Sequence, residues 1–222
     1  MQLNNNFAQR VLVHSEGEPW QSSPSVGVER RMLDRIGGEV ARATTIVRFA
    51  PGHSFAAHTH GGGEEFVVLD GVFQDENGDY PAGTYVRNPP TTRHTPHAEQ
   101  GCTIFVKLWQ FDPDDRNQFS KNMKDGLVHD GDGIRRAELH RDSREVVSYY
   151  ELDAKVMLEV DAPGGIELLV LSGQLEDGED TLRAGTWLRL PDGQKLAARA
   201  GDTGASLWMK TGHLRFIAEP DV

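Results

Sequence analysis

The chain has 222 residues, room for one large or two small domains, and carries 34 acidic against 23 basic side chains, a net charge of −11. That charge opposes nonspecific attraction to nucleic acid and to anionic membranes. No apolar run approaches the roughly 20 residues of a spanning helix, and a single cysteine, Cys102, excludes an internal disulfide.

The N-terminal stretch MQLNNNFAQRVLVHSEGEPW has no basic segment leading into an apolar core. No signal peptide is therefore expected, and the cytoplasm is the default location. Short β-rich runs follow at 42–50, 65–69, 84–86 and 103–111, punctuated by many of the 24 glycines and 11 prolines. Sustained helical periodicity is scarce, which predicts an all-β sandwich or barrel. Cys102 precedes the apolar run Thr103-Ile104-Phe105-Val106 and is expected to be buried and inert. The polar stretch 112–132 reads as a solvated linker.

Residues 52–71 carry the chemistry. His58 and His60 alternate, so on an extended strand both face the same side. Glu64 follows the flexible Gly61-Gly62-Gly63 and can return a carboxylate oxygen to the same point. Further on, Tyr80-Pro81-Ala82-Gly83-Thr84 and Pro89-Pro90-Thr91-Thr92-Arg93 lead to His94, the candidate fourth ligand. Imidazoles with one carboxylate suit a divalent first-row metal: zinc first, with iron, manganese or nickel as alternatives. Glu65 competes with Glu64, and His97 with His94; His53 falls on the opposite face from His58 and reads as a rim residue. The bland alternative is a degenerate barrel with polar residues in its mouth.

Gly52, His58, His60, Glu64 and Gly71 fit the first motif of the cupin superfamily without a gap, and Pro81, Gly83 and His94 resemble the second. The gap from Gly83 to His94 is longer than in most cupins. Residues 40–112 more specifically resemble the cupin domain of ChrR-type anti-sigma factors, with acetylacetone dioxygenase-like cupins as more distant relatives. The resemblance implies an all-β fold of two tandem cupin barrels, double-stranded β-helix jelly rolls.

The chain also repeats itself. Residues 63–89 match 165–191 without a gap at an offset of 102, pairing Gly71 with Gly173 and Ala82-Gly83-Thr84 with Ala184-Gly185-Thr186. Glu64 then corresponds to Ile166 and His94 to Leu196. Aligning Ala50-Pro51-Gly52 with Ala162-Pro163-Gly164 makes the second copy ten residues shorter where the first carries His58 and His60. The expected domains are a metal-binding barrel at 1–115 and a degenerate barrel without ligands at 116–222, the latter a structural or interaction element.

Two functions follow. The ChrR resemblance implies a regulatory or sensory metalloprotein. The family's helical anti-sigma domain holds its own zinc through an H-x3-C-x2-C motif, which a chain with one cysteine cannot supply, so a sigma factor is not an expected partner of this chain alone. The dioxygenase resemblance implies non-heme metal chemistry on a small diketone or aromatic ketone, with Phe55, Tyr85, Arg87 and Trp109 as candidate substrate-binding residues and Phe66 and Phe105 as further aromatics that also suit plain core. Arg87 has a counterpart, Arg189, in the half without ligands, which favours a structural role. No catalytic base stands out. A small molecule at the metal is the expected ligand, with no nucleic acid or membrane partner; homodimerisation is open.

Overall fold

The computed structural model describes residues 1–220. Among them the only helical pieces are two 3-10 turns, Ser15–Gly17 and His213–Arg215. No helix is long and apolar enough to cross a membrane. Alternating apolar residues and turn glycines leave the backbone little else than antiparallel strands.

The chain forms two compact units. The first comprises Met1–Asn5, Glu18–Asn122 and the residues from Ala218 on; the second comprises Asn6–Gly17 and Met123–Ile217. The expected boundary at 115/116 is thus displaced at both ends. Strand Val11–His14 pairs with Thr186–Leu190 in the second unit's nine-stranded sheet. Strand Phe119–Asn122, within the expected linker, pairs with Thr84–Asn88 in the first unit's eleven-stranded sheet. Each addition covers an otherwise open strand edge.

In the first unit, strand Glu64–Asp75 lies between Cys102–Leu108 and Thr84–Asn88. Its even-numbered residues Phe66 and Val68 point inward with Phe73, Val86, Ile104 and Val106. Full burial of a Phe, Val or Ile side chain contributes roughly 1.5–3 kcal/mol. The second unit repeats the arrangement around Leu168, Val170, Leu175, Leu188, Leu207 and Met209. Both copies bulge at the same place, Leu69 and Leu171, and two residues later Gly71 (φ 73°) and Gly173 (φ 70°) take left-handed backbone.

The repeat needs one correction. His58 pairs with His94, and Val160 pairs with Leu196, the residue 102 positions after His94. The gapless offset therefore extends back to Val160, opposite His58, and to Ala162, opposite His60. The second copy is not ten residues shorter there. The turn equivalent to Ala50–His53 is Asp153–Val156: the His53 amide donates to the Ala50 carbonyl and the Val156 amide to the Asp153 carbonyl. Lys155, at φ 64°, takes the left-handed place of Gly52, at φ 75°. Ala-Pro-Gly is a generic turn tripeptide, and its recurrence at 162–164 marks a different turn from the one at 50–52.

A Cβ on Gly71 or Gly173 would meet a backbone carbonyl oxygen at 2.2 or 2.1 Å. Gly71→Ala and Gly173→Ala are each expected to destabilise the protein by about 2 kcal/mol or more. Gly52→Lys, where no atom lies within 4 Å of the added Cβ, is expected to cost only about 1 kcal/mol. Urea unfolding midpoints check the ranking.

Candidate metal centre

The site forms where two short strands, His58–Thr59 and Arg93–His94, meet the start of strand Glu64–Asp75. Strand pairing sets His58 opposite His94. The His60 amide donates to the Thr92 carbonyl at 2.9 Å and so brings His60 beside both. The imidazole centroids lie 5.0, 5.0 and 4.6 Å apart. Gly63, at φ 78°, turns the chain so that Glu64 re-enters on the inner face. One donor atom from each of His58, His60, Glu64 and His94 lies within 4.8 Å of the others.

Hydrogen bonds fix which imidazole nitrogen faces the cluster. His58 Nδ1 lies 2.9 Å from the Ala56 carbonyl, which can only accept. His94 Nδ1 lies 3.0 Å from the Asp75 carboxylate. His60 Nδ1 lies 2.9 Å from Thr92 Oγ1, whose own proton goes to the Pro89 carbonyl at 2.7 Å. Each Nδ1 therefore carries the proton, and each Nε2 presents a lone pair inward. His60 Nε2 and His94 Nε2 are buried without a hydrogen-bond partner among the described residues. They face Glu64 Oε1 at 3.5 and 3.4 Å. Donors about 2.0–2.2 Å from one ion lie roughly 3.0–3.5 Å apart on adjacent vertices. The residues thus fit a divalent ion.

The surroundings act on the protonation of the site. Burial holds His60 below the ordinary histidine range, outweighing the Glu64 carboxylate. Burial also pulls His94 down, but the Asp75 hydrogen bond and the charges of Glu64, Asp75 and Glu76 outweigh it, and His94 is raised. Burial raises Asp75 and its hydrogen bonds, led by His94, reverse that, so it is lowered and stays a carboxylate. Tyr80, pushed up to about 12 by burial and then by Asp75, keeps its proton and donates it to Asp75 Oδ1 at 3.2 Å. Glu64 Oε1 accepts from Asn88 Nδ2 at 3.4 Å, and Asn88 Oδ1 from Gln118 Nε2 at 3.1 Å.

Glu64 stands in the cluster, whereas Glu65 faces the other side of its strand and accepts a 2.6 Å hydrogen bond from Tyr85. His97 pairs with Ser54 and lies outside the cluster. Cys102 is buried, and burial followed by the Asp70 charge pushes its thiol up to about 12, which disfavours the reactive thiolate.

The expected substrate-binding residues divide. Phe55 packs edge-on to His58 at 5.7 Å. Tyr85 and Arg87 do not line the cluster: Asn88 is in register with Glu64, and Arg87 with Glu65, so alternation turns both away. Arg87 instead stacks over Phe111 at 4.2 Å and pairs with Asp115 at 2.5 Å, while Arg189 stacks over Phe7 at 4.1 Å. The counterpart in the ligand-free half had pointed to this structural role. Trp109 sits on Gly61 and Gly62. Phe66 and Phe105 are buried, Phe66 in the apolar core.

Sequence reasoning missed Ala56, Asp75, Tyr80, Asn88 and Thr92. The repeat held a signal for three site positions beyond the ligands. At the offset of 102, Phe73, Tyr80 and Asn88 become Leu175, Leu182 and Leu190, all in the second core with Ile166 and Leu196.

Residues 8–112 match the family model of the ChrR Cupin-like domain. A provisionally assigned dioxygenase from Nostoc punctiforme superposes with TM-score 0.74 at 13% identity, over 95% of this chain and 85% of that one. A provisionally assigned glyoxylate-induced protein from Pseudomonas aeruginosa gives 0.73 at 14%, over 96% and 92%. The Escherichia coli pirin YhhW, solved with nickel(II), gives 0.68 at 12%, over 92% and 99%. No protein of curated function matches the sequence. The fold is that of cupin proteins, and residues 8–112 are similar to the ChrR Cupin-like domain. The two units form tandem barrels of that fold, and the similarity to the ChrR Cupin-like domain falls mostly in the first.

The His58→Ala/His60→Ala double variant is expected to abolish stoichiometric metal binding, read by elemental analysis. Asp75→Ala is expected to weaken zinc affinity about 10- to 100-fold, read by chelator competition. Protons compete with the metal for each Nε2, so affinity is expected to fall as pH drops below about 6.5. His94, held up, protonates before His60, held down. Titrations from pH 7.5 to 5.5 check this; a flat binding constant would remove the histidines as ligands.

Proposed function

We propose that the chain is a ChrR-like regulatory metalloprotein that holds one divalent transition-metal ion through His58, His60, Glu64 and His94. The observation that carries this reading is the pair of buried Nε2 atoms on His60 and His94, aimed at one carboxylate oxygen without a hydrogen-bond partner. A buried polar atom left unsatisfied costs about 1–3 kcal/mol, and a cation between these donors satisfies all of them. The nitrogen-rich set suits zinc, with iron, manganese or nickel as alternatives. Four protein donors close a tetrahedral zinc site, which favours a structural or signalling role over turnover. The match to the ChrR Cupin-like domain supports the regulatory role, because residues 8–112 contain the whole ligand set.

One observation favours a second reading. Phe55 stands against His58, and Phe73 lies 5.7 Å from His94, an aromatic flank suited to a small apolar ligand. A six-coordinate ion would leave two positions beside the four protein donors, and a bound redox metal would supply oxygen chemistry there. On this reading the chain is a metal-dependent dioxygenase of a small diketone or aromatic ketone.

Elemental analysis of protein purified without a histidine tag is expected to give about one ion per chain. About two ions, or none after reconstitution with zinc or iron, would overturn the proposal. Oxygen uptake by iron-loaded protein with β-diketones separates the two roles. Absence of uptake is expected for the regulatory protein, and substrate-dependent uptake would transfer the proposal to the dioxygenase.

A further inference from the structure

We infer that Trp109 is a positioning residue for the metal: with Phe111 it clamps the Gly61–Gly63 loop and so fixes the separation of His60 and Glu64. The inference rests on the proposed metal site. The three glycines are the only residues between the two ligands, so their conformation sets where Glu64 returns.

Two backbone bonds join the loop to the segment after strand Cys102–Leu108. The Trp109 amide donates to the Gly63 carbonyl at 3.0 Å, and the Phe111 amide to the Gly62 carbonyl at 3.3 Å. The rings then fill the space that side chains on the loop would occupy. A Cβ on Gly61 would meet Trp109 Cζ2 at 2.8 Å, one on Gly62 would meet Trp109 Cδ2 at 2.4 Å, and one on Gly63 would meet Phe111 Cγ at 2.4 Å. Gly62 does not have the left-handed backbone of Gly63, so the Trp109 ring is what excludes a side chain there.

Trp109 itself holds φ at 58°, a left-handed conformation that is a genuine outlier for a bulky residue. Such strain persists only where surrounding contacts over-determine it. Here Gln110, between the two aromatics, is buried and anchored: Arg42 Nη2 donates to its Oε1 at 3.1 Å, and its Nε2 donates to the Ala43 carbonyl at 2.9 Å. The clamp is thus fastened to the neighbouring strand Ala41–Phe49 as well as to the loop.

The test uses the full chain, zinc and cobalt(II) as probes, and Trp109→Gly, Trp109→Phe, Gly62→Ala and the Gly62→Ala/Trp109→Gly double variant. Glycine accepts the left-handed backbone, so Trp109→Gly removes the ring while keeping the fold. Trp109→Gly is expected to weaken zinc affinity about tenfold or more and to shift the cobalt ligand-field spectrum, which a merely structural role would not move. Trp109→Phe is expected to retain most of the affinity. Gly62→Ala is expected to weaken binding when Trp109 is present and to add little when it is absent, a non-additivity that reads the contact itself. A Trp109→Gly protein with wild-type affinity and spectrum, or a Gly62→Ala effect equal in both backgrounds, would overturn the inference. Wild-type protein that binds neither metal would instead remove the metal reading and this inference with it.

Discussion

The imidazoles of His58, His60 and His94 each give their Nδ1 proton to a different acceptor: the Ala56 carbonyl, the Thr92 hydroxyl and the Asp75 carboxylate. That constraint aims three Nε2 lone pairs at one point inside a β-barrel, where an unpaired polar atom is costly. The rest of the first unit is arranged around it. Short strand pairing holds His58 against His94, Gly63 returns Glu64 to the inner face, and Asn88, backed by Gln118, meets the carboxylate. Asp75 stays ionised because His94 and Tyr80 donate to it, and in turn it keeps His94 raised.

The second unit shows what the same scaffold does without that constraint. Position by position, His58, His60, Glu64 and His94 become Val160, Ala162, Ile166 and Leu196, and Tyr80 and Asn88 become Leu182 and Leu190. All six replacements join or pack against a single aliphatic cluster. The bulge at Leu171, the hairpin from Asp180–Arg183 and the strand pairings survive. Loss of the donors therefore did not leave a degraded site. Leucine and isoleucine fill the volume that the donors leave, and apolar packing takes the place of the polar cluster. One polar group left behind, Asp177 opposite Asp75, lies toward the surface and pairs with Arg10.

Much of this was legible in the sequence. The alternation of His58 and His60 sets both on one face, and the six-residue gap from Glu64 to Gly71 in the cupin-like motif selects Glu64 over Glu65. Tyr85 and Arg87 were expected beside the cluster, yet the register with Glu64 and Glu65 turns them away. The missing segment expected in the second copy came from a repeated Ala-Pro-Gly. A left-handed Lys155 carries the corresponding turn instead, a substitution that turn signals based on glycine cannot reveal.

By itself, then, the sequence determined the all-β class, the tandem repeat, the four donor residues and their loss in the second copy, because each depends on local spacing or on self-comparison. Only the tertiary structure decided what orients those donors. Asp75 reaches His94 from the end of strand Glu64–Asp75, Thr92 reaches His60 from beside strand Arg93–His94, Asn88 reaches Glu64 from a neighbouring strand, and Trp109 reaches the Gly61–Gly63 loop from the far end of another. The same holds for strands Val11–His14 and Phe119–Asn122, whose sheet partners lie far from them along the chain. Such partnerships are fixed by register between distant segments, and no local pattern of side chains encodes a register on its own.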